Sequence, residues 1–367
     1  MRLRSLTLAV GALLTVATPA SGATLSQKSP STSGAGTWTT AASMSTERSH
    51  ATATRLGDGR VLVVGGEGDT TRDSTAELYD PPTGTWSPAG TLNAPRTLHV
   101  AVRLADGRVL VAGGGWYGAG AEIYDPATNR WTPTGSMHIG RISFTGTLLG
   151  DGRVLVVGGN SLSGLQASSE LYDPASGSWT LTRSLATPRR AHTATLLGDG
   201  DVLVAGGASV GSTPWPRNAE LFDPVRGRWS RAGTMTRGRE HATATLLRNG
   251  RVLLAGGGSP SATASAELYD PISRSWGPTG NMTAVHGGAA VLLQDGRVLV
   301  AGGGTGDVFA PATGTWTATG PMVFPYASDV AALLPSGQVL FAGGRRVVYC
   351  GQYSCDEPIA DAELYTP

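Results

Sequence analysis

Ten side chains recur where they could act together. Arg48, Arg96, Arg141, Arg190 and Arg239 lie in five short segments, four of them beside His50, His99, His192 and His241, while His286 has no arginine next to it. Imidazoles titrate near neutral pH and guanidinium forks hold carboxylates, so a ring of such groups could bind an anionic ligand or move a proton. A structural use competes with that reading. Acids return once per segment, as Glu77, Glu122, Glu170, Glu220, Glu267, Asp307 and Glu363, and the first five follow an arginine. That is the pattern repeated Arg–Glu pairs would produce. The five candidate histidines take three registers relative to the turn that follows them, with His138 set further back, which argues against a symmetric metal cage. No metal ligand set and no catalytic residue is assigned.

A second set is aromatic. Trp116, Tyr117, Trp215, Phe324, Tyr326, Tyr349 and Tyr353 do not recur from segment to segment. Large aromatics in irregular loops offer flat apolar area with a polar handle, suited to sugars or protein partners. Folding down as loop plugs is the plainer alternative. Trp116, Tyr117, Trp215, Tyr326, Tyr349 and Tyr353 are the candidate ligand-binding residues. Cys350 and Cys355 share the long stretch from Arg345 to Asp361, and in an exported chain they are expected to form a disulfide.

The elements that must position these groups follow from one phrase written seven times. Val-Leu, two apolar residues and Gly-Gly end at Gly66, Gly114, Gly159, Gly207, Gly257, Gly303 and Gly344. A period of this size implies a propeller or solenoid. Within a copy, His50 to Leu56 reads as an inner strand, and Asp58-Gly59 as a type I′ turn with positive φ at both central residues. Val61 to Val64 reads as a strand covered on both faces. Ala76 to Pro81 gives a third strand, and the segment around Trp86 a fourth. Short turns of near-constant sequence fall on one end of such a blade. The loops after Gly-Gly and the links between blades vary, and they fall on the other end. The seventh copy ends at Pro367 without its own outer tryptophan, while Gly36-Thr37-Trp38-Thr39 supplies one at the other terminus. The expected fold is all-β: a seven-bladed propeller with four antiparallel strands per blade, closed by the N-terminal strand completing blade seven.

The double glycine, the Tyr/Phe-Asp-Pro strand and the spaced tryptophans resemble kelch repeats. Asp-Gly-Arg-Val-Leu-Val-Ala-Gly-Gly, at Asp106 to Gly114, is most similar to the kelch propeller of the galactose oxidase group. The resemblance covers residues 37 to 367. It implies a copper site of two histidines and two tyrosines, one tyrosine crosslinked to a cysteine, completed by a further domain. Here both cysteines share one stretch, five of the nine tyrosines occupy the strand position, and no such domain is expected after Pro367. The scaffold without its copper site, and without any cofactor, is therefore expected.

Residues 1–23 carry Arg2 and Arg4, an apolar run from Leu6 to Ala17 and the small residues Ser21-Gly22-Ala23, the form of a secretory signal peptide cleaved near Ala23. Residues 24–36 read as a flexible lead-in. The mature protein is expected to be secreted and monomeric. Formal net charge is +1, with Lys28 the only lysine, which gives no footprint for nucleic acid or an anionic membrane. No His-Glu-x-x-His helix, phosphate loop or repeated calcium motif is present. The expected function is non-catalytic binding of a glycan or protein partner on an aromatic-rich loop face. The alternative is a carbohydrate-active or oxidase-like enzyme using an Arg/His-lined channel mouth.

Overall fold

Four-residue strands such as Val61–Val64, Val109–Ala112 and Val154–Val157 are buried along their whole length. Continuous burial requires protein on both faces, so each sheet must be sandwiched between two others. The computed structural model meets that requirement with seven four-stranded antiparallel sheets arranged in a ring. It describes residues 36–68, 72–209, 215–258, 261–286, 288–325, 330–350 and 353–367, without the side chains of 349, 350 and 353–355. The expected signal peptide and nearly all of the lead-in lie outside the described residues.

Blade one consists of Thr52–Arg55, Val61–Val64, Thr75–Asp80 and Thr85–Thr91. Blades two to six span residues 100–134, 145–182, 190–234, 243–278 and 289–318 in the same order. Blade seven takes three strands from residues 330–366, and Thr37–Ala41 supplies the fourth, paired antiparallel with Ala362–Thr366. Inner strands touch their neighbours around the ring, including Val330–Leu333 against Thr52–Arg55, which closes it.

Aromatic pairs fasten each blade. Tyr79 lies opposite Trp86 with ring centroids 5.1 Å apart, and the same pair recurs through to Tyr365 and Trp38 at 4.9 Å. The indoles of Trp86, Trp131, Trp179, Trp229 and Trp276 donate to a carbonyl of the preceding blade, at Ala42, Ala89, Gly135, Arg183 and Ala232. The tryptophans are thus latches between blades as well as caps within them. At Gly66 (φ +106°) an added Cβ would lie 2.8 Å from the Ser49 carbonyl, so the double glycine marks a close backbone approach.

Two expectations need correction. Only the glycine of each Asp-Gly turn has positive φ: Gly59 is at +93°, and Asp58 is not in that region. Leu56 N–H donates to Arg60 O (2.8 Å) and Gly59 N–H to Leu56 O (3.2 Å). That is a three-residue loop, a type I turn followed by a glycine bulge, rather than a type I′ turn. Asp58 explains the choice, since its carboxylate accepts from Arg60 N–H (3.0 Å) and Arg60 Nε (2.7 Å). Second, the long stretch after Gly344 is largely a β-hairpin, Arg345–Cys350 against Tyr353–Pro358. Beside it, blade six turns tightly from Gly302 to Thr305.

Candidate functional site

The arginine segments resolve into two layers. Arg48, Arg96, Arg141 and Arg239 are buried rather than placed at the mouth, at 5% exposure or less. In each, Nη1 donates to the first glycine carbonyl of the double-glycine step and Nη2 to the blade's glutamate. For Arg141 these are Gly158 O at 2.8 Å and Glu170 Oε1 at 2.7 Å. In blade four the pair belongs to Arg189, which reaches Gly206 O (2.8 Å) and Glu220 (3.0 Å). Arg190, the sequence candidate, is exposed at the start of the inner strand. A constant separation was the missed signal: the buried arginine always stands 17 residues before its carbonyl, which selects Arg189.

Three of the candidate histidines are also buried: His99, His192 and His286. His286 does the arginine's work in blade six, with Nε2 2.6 Å from Asp307 and Nδ1 3.4 Å from Gly302 O. His99 and His192 place Nε2 2.8 and 2.9 Å from the hydroxyls of Thr52 and Thr145 in the preceding blade. Burial, with Arg96 or Arg189 nearby, lowers both imidazoles to a pKa of about 3. They are neutral wedges between blades. Exposed His138 lies on the link before Arg141, 2.9 Å from Glu170.

What remains at the mouth is smaller and built by the backbone. His50, Leu98, Ser143, Ala191 and His241 begin successive inner strands with φ between 50° and 55°. Each N–H from Leu98 to His241 donates to the carbonyl of its predecessor, at 3.3, 3.1, 2.9 and 3.0 Å. Five non-glycine residues in this conformation carry a cost that the surrounding structure must offset. The ladder sets His50 and His241 on the rim of the channel. Burial in the mouth, then the charges of Arg190, Arg345 and His50, hold His241 below the ordinary imidazole range, against the raising effect of Glu240. Glu240 and Arg345 were missed in the sequence. Their signal was positional: Glu240 stands in the slot after the buried arginine, which holds Ser49, Thr97, Ile142 and Arg190 elsewhere.

From His50 a line of groups runs outward. Glu67 Oε2 is 3.8 Å from His50 Nδ1, and Glu67 Oε1 is 3.9 Å from Arg72 Nε. The Arg72 guanidinium then sits 4.0 Å above the ring of Trp116, which is 81% exposed. Stacking of this kind orders an otherwise loose ring. Tyr117 (φ +58°) follows, its hydroxyl 3.4 Å from Asn160 Nδ2 in the blade-three loop. Trp215 is half-buried in the blade-four loop, two blades around, where Gly238 leaves room for its carbonyl. Tyr326 lies outside the described residues, as do the side chains of Tyr349, Tyr353, Cys350 and Cys355. The hairpin backbone puts Cys350 opposite Tyr353 and Cys355 opposite Val348.

A Gly-x-Ser-x-Gly spacing, Gly207 to Gly211, begins in the last two residues of the second strand of blade four, and its last two residues lie outside the described residues. As a nucleophile elbow that motif joins a strand to a helix, and among the described residues there is no helix. Nor, among those residues, do three His, Cys, Asp or Glu side chains converge as a metal site would require.

Comparison with known proteins agrees with this geometry. The kelch motif model matches residues 48–93. Among solved structures, a fungal alcohol oxidase of the AA5 family, determined in complex with copper, superimposes with a TM-score of 0.74 at 23% identity, covering 91% of this chain and 76% of that one. No curated protein matches. The chain is a kelch propeller whose fold resembles that of galactose oxidase.

Proposed function

We propose that this chain is an exported, non-catalytic binding module whose irregular face takes a glycan. The carrying observation is Trp116, a large ring 81% exposed and steadied by Arg72. It lies beside a mouth where His50, Arg190, Glu240, His241 and Arg345 supply donors and acceptors. Flat apolar area next to convergent polar groups is what sugar rings require.

The copper of the fungal oxidase does not carry over. The five strand tyrosines here are each held against a tryptophan, with centroids 4.9–5.1 Å apart, and are fully or nearly buried. Those five tyrosines are therefore held in the scaffold and are not free to serve as copper ligands, and no oxidation step is assigned.

The test is a glycan array probed with the wild type and with a Trp116→Ala/Trp215→Ala variant. At least one glycan class should bind the wild type, and the variant should lose about tenfold or more in affinity. A wild type that binds nothing, or a variant that binds equally well, overturns the proposal.

A further inference from the structure

A different surface breaks the repeat in another way. On the perimeter, between the outer strand of blade four (Arg228–Thr234) and the link from blade three, lies an open cleft of about 860 Å³. Arg183, Arg228 and Arg231 line it, with Trp229, Asn218 and Thr187 between them. That volume is in the range of ligand sites.

Two of these arginines are specific to this blade. The residue whose carbonyl receives the latch tryptophan is Ala42, Ala89, Gly135 or Ala232 elsewhere, and Arg183 here. The residue opposite the blade acid is Pro88, Pro133, Leu181, Pro278, Ala318 or Thr40 elsewhere, and Arg231 here. Scaffold needs explain neither substitution, because six sister blades fold without them.

The charge is also uncompensated. Among the described residues, none of the three guanidinium groups has an ion pair or a side-chain hydrogen bond. Glu220, on the cleft floor, is already held by Arg189 (3.0 Å) and by the N–H groups of Ala186 (2.8 Å) and Thr187 (3.3 Å). From Arg183 to Arg239 the chain carries nine arginines and four acids, in a protein of formal net charge +1. One sector is strongly basic while the whole is nearly neutral.

We infer that this cleft is a second binding site, for an acidic polysaccharide bearing carboxylate or sulfate groups. Guanidinium groups recognise such oxyanions through paired N–H bonds, and Asn218, Thr187 and Ser230 offer partners for hydroxyls. The site is separate from the loop face and does not rest on the glycan proposed there.

Affinity electrophoresis tests it, using polygalacturonate, dextran sulfate, neutral dextran and single-stranded DNA as immobile probes. The wild type should be retarded by polygalacturonate, dextran sulfate or both, not by dextran and less by DNA. The retardation should weaken as salt rises. The two acidic probes tell carboxylate from sulfate recognition. Arg183→Gln/Arg228→Gln/Arg231→Gln should weaken binding at least tenfold, or about 1.4 kcal/mol. Arg183→Ala/Arg231→Pro, which borrows sister-blade residues, should weaken it with an unchanged melting temperature. Removing equal charge at exposed Arg55, Arg103 and Arg130, and the Trp116→Ala/Trp215→Ala variant, should leave it intact. No retardation by either acid, equal retardation by DNA or dextran, or equal loss in the charge control each overturns the inference.

Discussion

His99 and His192 show how a single residue can belong to the scaffold while looking like chemistry. Each fills one slot at the start of an inner strand, and Phe144 fills that slot in blade three. The partner slot in the preceding blade changes with it: Thr52 and Thr145 face the histidines, while Val100 shares a cluster with Phe144. Polar pairs and an apolar pair are thus interchangeable solutions to one packing problem. They differ in pH response. The folded-state values of about 3 lie below the ordinary 6.5, so unfolding takes up protons once pH drops below 6.5. Stability from these groups is complete above 6.5 and is lost as pH falls toward 3, on the order of 3–5 kcal/mol for each group. Urea unfolding from pH 7 to 4 should show that decline. A Thr145→Val/His192→Phe variant, copying blade three, should flatten part of it. An identical slope in wild type and variant would contradict the assignment.

At the scale of the blade, the buried arginine and acid form the unit that the sequence half disclosed. Arginine and glutamate recurring in five segments announced a pairing, and that much was legible because the repeat keeps both residue types. Which arginine paired in blade four was not legible from composition, since Arg189 and Arg190 are adjacent and only the turn of the link separates inward from outward. His286 standing in for arginine was hidden because it enters one position later in the link and still reaches Gly302 and Asp307. The channel mouth was less legible still. Its ladder depends on φ values near 50° at residues as unlike as His50, Leu98 and Ala191, which no residue type signals. Blade seven supplies the test of the pairing. Glu363 has no arginine and is held by backbone N–H groups instead, Val323 N–H at 2.8 Å and that of Phe324. Burial raises its pKa. Its ionised form is therefore unfavourable, and the stability it contributes is lost as pH rises through that value. Glu363→Gln should be neutral or stabilising at pH 8. Glu170→Gln, which strands the buried Arg141, should cost about 3–5 kcal/mol. Chemical denaturation of the two variants separates them, and equal losses would refute the distinction.

The whole molecule stands or falls on one seam. Six blades are continuous in the chain, whereas the seventh is assembled from both ends of the described fold. Trp38 joins it on three sides: its ring lies 4.9 Å from Tyr365 and 5.2 Å from Phe341, and its indole N–H donates to Thr319 of blade six at 3.1 Å. The segment continues to buried Met44, whose N–H donates to Ala360 O at 2.9 Å, and to Ser45, whose N–H donates to Glu77 of blade one at 2.8 Å. One short stretch therefore ties blades six, seven and one together. Without it, Ala362–Thr366 becomes an open edge, and the cluster around Phe341 and Tyr365 is uncovered. An unpaired edge beside exposed aromatic surface favours pairing with other copies of the chain. Deleting residues 37–45 should therefore give aggregated protein or a chain lacking a cooperative melt. Trp38→Ala alone should remain folded but lose about 3–5 kcal/mol, read as an earlier denaturation midpoint. The deletion variant is the sharper measurement. If it were monomeric by sedimentation and melted cooperatively near the wild-type temperature, the ring would hold without its fastening, and the seam would have to lie elsewhere.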